Sequence, residues 1–439
     1  MKDHLLSFFV FVETVLLIWF PNIGILGGRT FALIGLYCLF FGVLLFDNGY
    51  KNLRVVNYGN NFLKVLLVYF VLVVLDSFLA KIGADTYYSD FRAIYSLLVD
   101  ILYAYTFYHL LQYEKIRMSF RYAILLCAIT LGVYSIYSYL TSSNLYTDIF
   151  YLFVDNDIAE NQFVDYSETR GLSFRVYGNL NNPVFFSVEL LLLMGFCCYE
   201  FDKSTNGNLK LSIFVVLLVL LLGILFTGSK SGVIPAFFLL AITFYKDIGF
   251  KKIAVFSLLY ISVFSIFLPH ISDFFDIDFT RFVDAMNPFA SIESVGGSTA
   301  IHRGNQFSYL FEFVGSDGMF GRGYGWAKNY VSTVGIHPIL HTFESLIMSA
   351  YADGGFVSLL IIYPLFLYKT FKLDNSMMYR CFCLSYFFTM IATGIGCFNI
   401  FCVMICYLLI DSRITQYDKI NCKKKKQLSS DIETISQCV

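Results

Sequence analysis

The hydrophobic positions of this chain form long runs, and shorter segments rich in polar and charged residues separate them. A helix that crosses a membrane needs about 20 predominantly apolar residues. The pattern therefore predicts an all-α polytopic membrane protein with about twelve transmembrane helices. The predicted spans are 5–20, 31–46, 62–80, 93–111, 122–140, 182–199, 211–227, 232–245, 253–269, 342–368, 379–393 and 398–410.

The last two predicted spans come from one continuous apolar stretch, which we divide at Gly394 and Gly396 because glycine marks turns. Of the 31 lysines and arginines, 20 fall in the segments that this division makes cytosolic and 10 in the segments outside, and the remaining one, Lys64, lies at the edge of a span. Cytosolic segments carry the excess of positive charge in membrane proteins. The charges therefore favour an even number of spans and two cytosolic termini, with the first apolar run as span one rather than a removable signal peptide.

Composition supports the same class, since 57% of the 439 residues are hydrophobic and only 14% are charged. Soluble domains carry about 25% charged residues. We assign residues 1–410 to a single integral membrane domain and 411–439 to a basic cytosolic tail. Eight of the eleven cysteines fall in predicted spans, where cysteine acts as a small apolar residue, and no metal-ligand spacing is present.

Two extracytosolic loops are predicted to be large, at about 141–181 and 270–341. The second contains four of the six histidines, so most histidines of the chain lie on one side of the predicted membrane. No nucleotide-binding domain adjoins either end of the chain, which argues against a pump driven directly by ATP. No nucleic acid is expected as a partner.

The first loop ends in a segment that combines a cation with the start of a helix. Asn182 and Pro183 have the residue types of an N-cap and a first helical position, and a helix start alone would explain them. Arg175 precedes them, with Gly178 between and Arg170 nearby. A helix N-terminus beside a guanidinium group is also suited to holding a phosphate or diphosphate.

A tight turn of sequence TGSKSG, at 227–232, lies on the same predicted side. It lacks the spacing of a nucleotide-binding phosphate loop, and no strand precedes it. Lys230 either extends its ammonium harmlessly to the interface or contributes to an anion site.

The second loop contributes Arg303, on an amphipathic segment that is followed by a glycine-rich turn. His341 begins the next span, and Glu344 lies one helical turn further, where it is placed to orient that histidine. His337 is a competitor for the histidine role.

Carboxyl groups inside a membrane are costly and tend to face a cavity or a partner. Those in the predicted spans are Glu13, Asp76, Asp100, Glu189, Glu344 and Asp353.

The order of these features resembles the O-antigen ligase and polymerase superfamily. The matching motifs are Arg-x-x-Gly-x-x-x-Asn-Pro at 175–183, Thr-Gly-Ser-basic at 227–230, Gly-Arg-Gly-Tyr-Gly at 321–325, and a span led by His341. The likeness covers about residues 170–366. This chain departs from the family by having Lys230 where arginine is frequent and Thr342 where asparagine is frequent.

The resemblance implies a metal-independent glycosyltransferase without cofactors, which acts at the outer face of the bacterial cytoplasmic membrane on glycans linked to undecaprenyl diphosphate. It implies diphosphate binding by Arg175 and Arg303 and catalysis by His341. From their positions in the sequence, we add Lys230 and Arg170 as further cations for the diphosphate and Glu344 as the residue that orients His341. A chain-length regulator and a flippase of the same pathway are further expected partners, besides membrane lipid.

Three functions remain open on the sequence. A polymerase transfers the growing glycan onto another lipid-linked repeat unit, and we favour this function. A ligase transfers the finished glycan to lipid A core. A flippase or transporter of lipid-linked sugar is the third alternative, but the sequence gives no sign of the internal repeats or broken helices that are frequent in transporters.

Overall fold

The computed structural model describes residues 2–20, 28–46, 60–83, 91–151, 172–180, 182–248, 276–286, 306–311, 314–315, 318–327 and 345–415. The regular secondary structure of these residues is entirely helical. The principal helices are α1 Lys2–Trp19, α2 Gly28–Phe46, α3 Asn60–Gly83, α4 Phe91–Leu110, α5 Glu114–Thr141, α6 Leu145–Tyr151, α7 Pro183–Lys203, α8 Gly207–Phe226, α9 Lys230–Ile248, α10 Phe279–Met286, α11 Leu346–Val357, α12 Tyr363–Phe371, α13 Met377–Thr393 and α14 Phe398–Thr415.

Six stretches of helix in the described residues are long and apolar enough to cross a membrane. They comprise most of α3, the whole of α5, α7, α8 and α14, and the stretch Leu346–Phe371 that joins α11 to α12. Shorter apolar helices are present at His4–Trp19, Leu33–Gly42 and Lys230–Tyr245. The chain is therefore a polytopic α-helical membrane protein. The number of twelve spans stays a prediction, and the predicted span 253–269 lies outside the described residues.

Helix α7 forms the interior of the bundle. Of the residues in the most apolar stretch of α7, 89% are buried, whereas in the most apolar stretch of α3 only 33% are buried. Helix α3 therefore has a large surface for lipid. Tight packing around α7 depends partly on glycine. A Cβ on Gly195 would lie 2.5 Å from the Phe382 ring of α13. A Cβ on Gly232 of α9 would lie 2.7 Å from Ser187 of α7.

The break predicted at Gly394 and Gly396 is present, since α13 ends at Thr393 and α14 begins at Phe398. Gly394 has φ 89°, a left-handed conformation that favours glycine. Helix α14 then continues to Thr415, so residues 411–415 are helical although the sequence suggested that they begin the tail.

A second break was not predicted, and it lies within α11, near the end of that helix. Gly354 and Gly355 leave helical geometry, with φ 58° and ψ −153° at Gly355. A π-helical turn at Ser358–Ile362 follows before α12 begins. The expectation that no span is broken was therefore wrong, because in sequence Gly354 and Gly355 look like small residues inside an apolar run.

Ion pairs join three helices at one end of the bundle, which we call the basic end. Arg121 of α5 lies 2.7 Å from Glu200 of α7. Lys203 of α7 lies 2.6 Å from Asp411 of α14, and Arg117 of α5 lies 3.8 Å from the same Asp411. The start of α5 and the ends of α7 and α14 therefore meet at this end.

Candidate functional site

The opposite end of the bundle contains the segment that leads into α7. Asn182 caps α7, since its side-chain oxygen accepts hydrogen bonds from the N–H groups of Val184 and Phe185 at 2.8 and 3.3 Å. Asn179 donates to the backbone oxygen of Ile18, at the end of α1, at 2.8 Å. Asn144, just beyond α5, donates to the backbone oxygen of Gly178 at 2.9 Å. These bonds fix the path of the chain that carries Arg175.

Arg175 lies directly against the tight turn between α8 and α9. Its Nε donates to the backbone oxygen of Thr227 at 2.9 Å, and the N–H of Val176 donates to the backbone oxygen of Phe226 at 3.0 Å. The structure thus brings together two of the motifs that the sequence assigned to diphosphate binding. We call Arg175 and the turn from Thr227 to Lys230 the arginine turn.

Two helix N-termini meet at the arginine turn. Ser229 precedes α9, and its backbone oxygen accepts the first hydrogen bonds of that helix, from Gly232 and Val233. The first turn of α9 contacts the second turn of α7, since a Cβ on Gly232 would lie 2.7 Å from Ser187. Helix N-termini carry partial positive charge and favour anions. The location thus combines two helix ends with two cationic side chains.

The two cations at the arginine turn differ in exposure. Arg175 is only 4% exposed, whereas Lys230 is partly exposed at the first position of α9. An arriving anion therefore meets Lys230 more readily. Arg175 is placed to hold the backbone of the turn that presents Lys230.

The other residues predicted for the site lie outside the described residues. These are Arg170, Arg303, His341, its competitor His337, and Glu344. Their roles stay predictions.

A third motif, the glycine-rich segment 318–327, contacts the break between Gly354 and Gly355. The N–H groups of Arg322 and Gly323 donate to the backbone oxygens of Ala352 and Asp353 at 2.9 and 2.7 Å. In the other direction, Phe356 donates to the backbone oxygen of Gly318 at 2.9 Å. The segment thereby bonds to backbone groups that surround the interruption of the helix. We call this contact the glycine clamp.

Asp353 completes the glycine clamp with its side chain. One carboxyl oxygen accepts the N–H of Gly325 at 3.0 Å, and the other accepts the N–H of Ala327 at 2.7 Å. Asp76 of α3 reaches the same break, and its carboxyl accepts the Ser358 hydroxyl at 2.9 Å. The sequence identified both acids as intramembrane carboxyls but gave them no role. Neither the Asp-Gly-Gly sequence at 353–355 nor the glycine-rich motif at 321–325 reveals by itself that the two segments contact each other.

Tyr324 connects the glycine clamp to α3. Its N–H donates to the Ser77 hydroxyl at 3.0 Å. Loss of contact with water raises the pKa of its phenol well above the ordinary value, so the hydroxyl remains protonated and available for hydrogen bonding.

Replacing Asp353 with asparagine is expected to destabilise the protein by about 1–3 kcal/mol, because the amide NH₂ would face a buried N–H donor that loses its acceptor. Thermal unfolding of the purified protein in detergent measures the change. Asp148→Asn, at an exposed position on α6, is the matched control. Equal melting of the two variants would contradict the role of the Asp353 carboxyl in the glycine clamp.

The chain matches none of the protein-family models searched and has no significant match among curated proteins.

Proposed function

We propose that the protein is a polysaccharide polymerase of the O-antigen or capsule type. It transfers a glycan from undecaprenyl diphosphate onto another lipid-linked repeat unit, at the outer face of the bacterial cytoplasmic membrane. The observation that carries this proposal is the arginine turn, in which a buried guanidinium holds a lysine-bearing turn at the N-terminus of α9, next to the start of α7. This arrangement suits a diphosphate at headgroup depth.

The chemistry requires an energy source in the substrate, because ATP is not available outside the cytosol. A glycan linked to diphosphate brings its own leaving group. As the bond between the sugar and the diphosphate breaks, negative charge develops on the departing diphosphate. Cations and N–H groups fixed in advance toward that charge stabilise the transition state.

In this proposal Lys230 and the N-terminus of α9 contact the diphosphate. Arg175 positions them through its bond to Thr227 and contributes its own positive charge. Lysine binds phosphate as a point charge, whereas the arginine fork imposes geometry. Arg303 and Arg170 add charge from the loops, and His341 with Glu344 activates the acceptor hydroxyl or orients it.

The first test is elongation by the purified full-length protein, reconstituted in liposomes with undecaprenyl-diphosphate-linked repeat units. We expect longer lipid-linked glycans to form without ATP or an ion gradient, as resolved by gel electrophoresis. Failure of the fully folded protein to lengthen any repeat unit supplied from its own host would overturn the proposal.

Deletion of the gene separates polymerase from ligase. Loss of a polymerase leaves single repeat units attached to the final acceptor. Loss of a ligase leaves long chains on the carrier lipid, and that result would assign the ligase reaction instead.

The break at Gly354 and Gly355, near the end of α11, favours a second candidate, a flippase or transporter of lipid-linked sugar. Interrupted helices and intramembrane carboxyls are frequent in transporters, and here Gly354, Gly355, Asp76 and Asp353 lie together. Movement of a labelled lipid-linked unit across sealed vesicles, with no change in glycan length, would support this candidate over the polymerase.

A further inference from the structure

A groove between α3 and α12 shares no lining residue with the arginine turn or with segment 318–327 of the glycine clamp. It encloses about 170 Å³. Lys64, Val68 and Leu72 line it from α3, and Phe366 and Lys369 line it from α12. Apart from the two lysines, all residues of its wall are apolar or aromatic, and no acidic side chain lines it. We call it the lysine groove.

Both lysines lie at the same end of this groove. Lys64 is near the start of α3 and Lys369 is near the end of α12, and the side chains of both are exposed. Asp374, just after α12, is within electrostatic range of Tyr199, whose hydroxyl donates to Asp411 at the basic end. The two ammonium groups therefore lie toward the basic end of the bundle.

Two buried carboxylates of that end are directed to other cations, and the Asp374 side chain accepts the N–H of Ser376 at 2.7 Å. Glu200 pairs with Arg121, and Asp411 pairs with Lys203 and Arg117. Among the described residues, no carboxylate lies within ion-pair distance of Lys64 or Lys369. The lysine groove thus presents two positive charges at one end and an apolar wall along its length.

The length of the groove matches one leaflet of a bilayer. Lys64 and Leu72 are eight residues apart on one helix, which corresponds to about 12 Å. Half of the hydrocarbon core of a bilayer is about 15 Å. A lipid with its phosphate between the two lysines would extend one acyl chain along Val68, Leu72 and Phe366.

We propose that the lysine groove binds an anionic phospholipid of the leaflet at the basic end. Basic pockets between transmembrane helices bind anionic headgroups in this way. A single lysine at an interface is explained by extension of its ammonium toward water. Two lysines from different helices, converging on one apolar groove, fit the charge and the shape of a phospholipid.

The test uses the purified full-length protein in detergent and titrates phosphatidylglycerol or phosphatidylcholine, with bound lipid counted by native mass spectrometry. We expect phosphatidylglycerol to bind more tightly. Lys64→Gln and Lys369→Gln each weaken its binding about fivefold, and the double variant about twentyfold or more. Leu72→Trp weakens binding of the acyl chain although both charges remain.

Lys115→Gln is the matched control, because Lys115 is an exposed lysine at the start of α5 and outside the groove. Its affinity for phosphatidylglycerol should equal that of the wild type, and the melting temperatures of all variants establish that they are folded. Equal binding of the two lipids, or wild-type binding by the double lysine variant, overturns the proposal. Tighter binding of undecaprenyl phosphate than of phosphatidylglycerol, lost in the double variant, would assign the groove to the carrier lipid instead.

Discussion

Replacing Arg175 with lysine is expected to reduce glycan elongation by about 10²–10³-fold, the usual effect of removing one fixed donor to developing negative charge. The positive charge is kept, but the planar fork is lost. Nε of Arg175 is fixed on the backbone oxygen of Thr227 at 2.9 Å, which also fixes the directions of the other guanidinium N–H groups. An ammonium group on a flexible stem does not reproduce this geometry.

The control for this substitution is Arg117→Lys at the basic end. Arg117 is also a buried arginine, 9% exposed, and it too donates to a backbone oxygen, that of Leu111, at 3.3 Å. The two variants should accumulate equally in membranes, and Arg117→Lys should retain elongation. Wild-type glycan length with Arg175→Lys, or equal losses in both variants, would remove Arg175 from the proposed site.

Replacing Gly355 with alanine is expected to prevent formation of the glycine clamp and to produce a protein that is degraded or aggregates. The φ of 58° is unfavourable for alanine. The added Cβ would also lie 2.5 Å from backbone atoms of Met319. Main-chain atoms cannot rotate away as a side chain can, so segment 318–327 must leave the break. The amount of monodisperse protein after detergent extraction measures the effect.

Gly394→Ala separates backbone strain from this steric contact. Gly394 has a similar positive φ of 89°, but a Cβ there would have no neighbour within 4 Å. We expect this variant to lose about 1–3 kcal/mol and to remain extractable. A third variant, Gly321→Ala, adds a Cβ 2.6 Å from the backbone of Gly354 on the other side of the contact, and it should behave as Gly355→Ala does. Normal yield from both clamp variants would contradict the described contact.

The elements that could be predicted from the sequence are those that one local property determines. Runs of apolar residues predicted the helices, and Asn182 with Pro183 predicted the start of α7 because capping depends on neighbouring residues. Arg175 and Lys230 were selected separately for diphosphate binding, and the structure places them at the same turn. Their shared role in binding remains a prediction, since proximity alone identifies no ligand.

The break at Gly354 and Gly355 was missed for a physical reason. It depends on hydrogen bonds from segment 318–327, about 30 residues earlier in the chain, and no local pattern reveals such a partner. Asp353 is equally ambiguous in sequence, because an acid inside an apolar run has the same appearance whether it binds substrate or accepts backbone N–H groups. The lysine groove also arises only when α3 and α12 are placed side by side.

The ion pairs at the basic end have a consequence for biogenesis. Arg117 and Lys203 share Asp411 as a partner, and Asp411 is more than 200 residues further along the chain than either. A buried cation without a counterion is costly. During synthesis, the buried Arg117 of α5 therefore lacks its Asp411 partner until α14 has been made, whereas Lys203 of α7 is exposed and water can solvate its charge in the meantime.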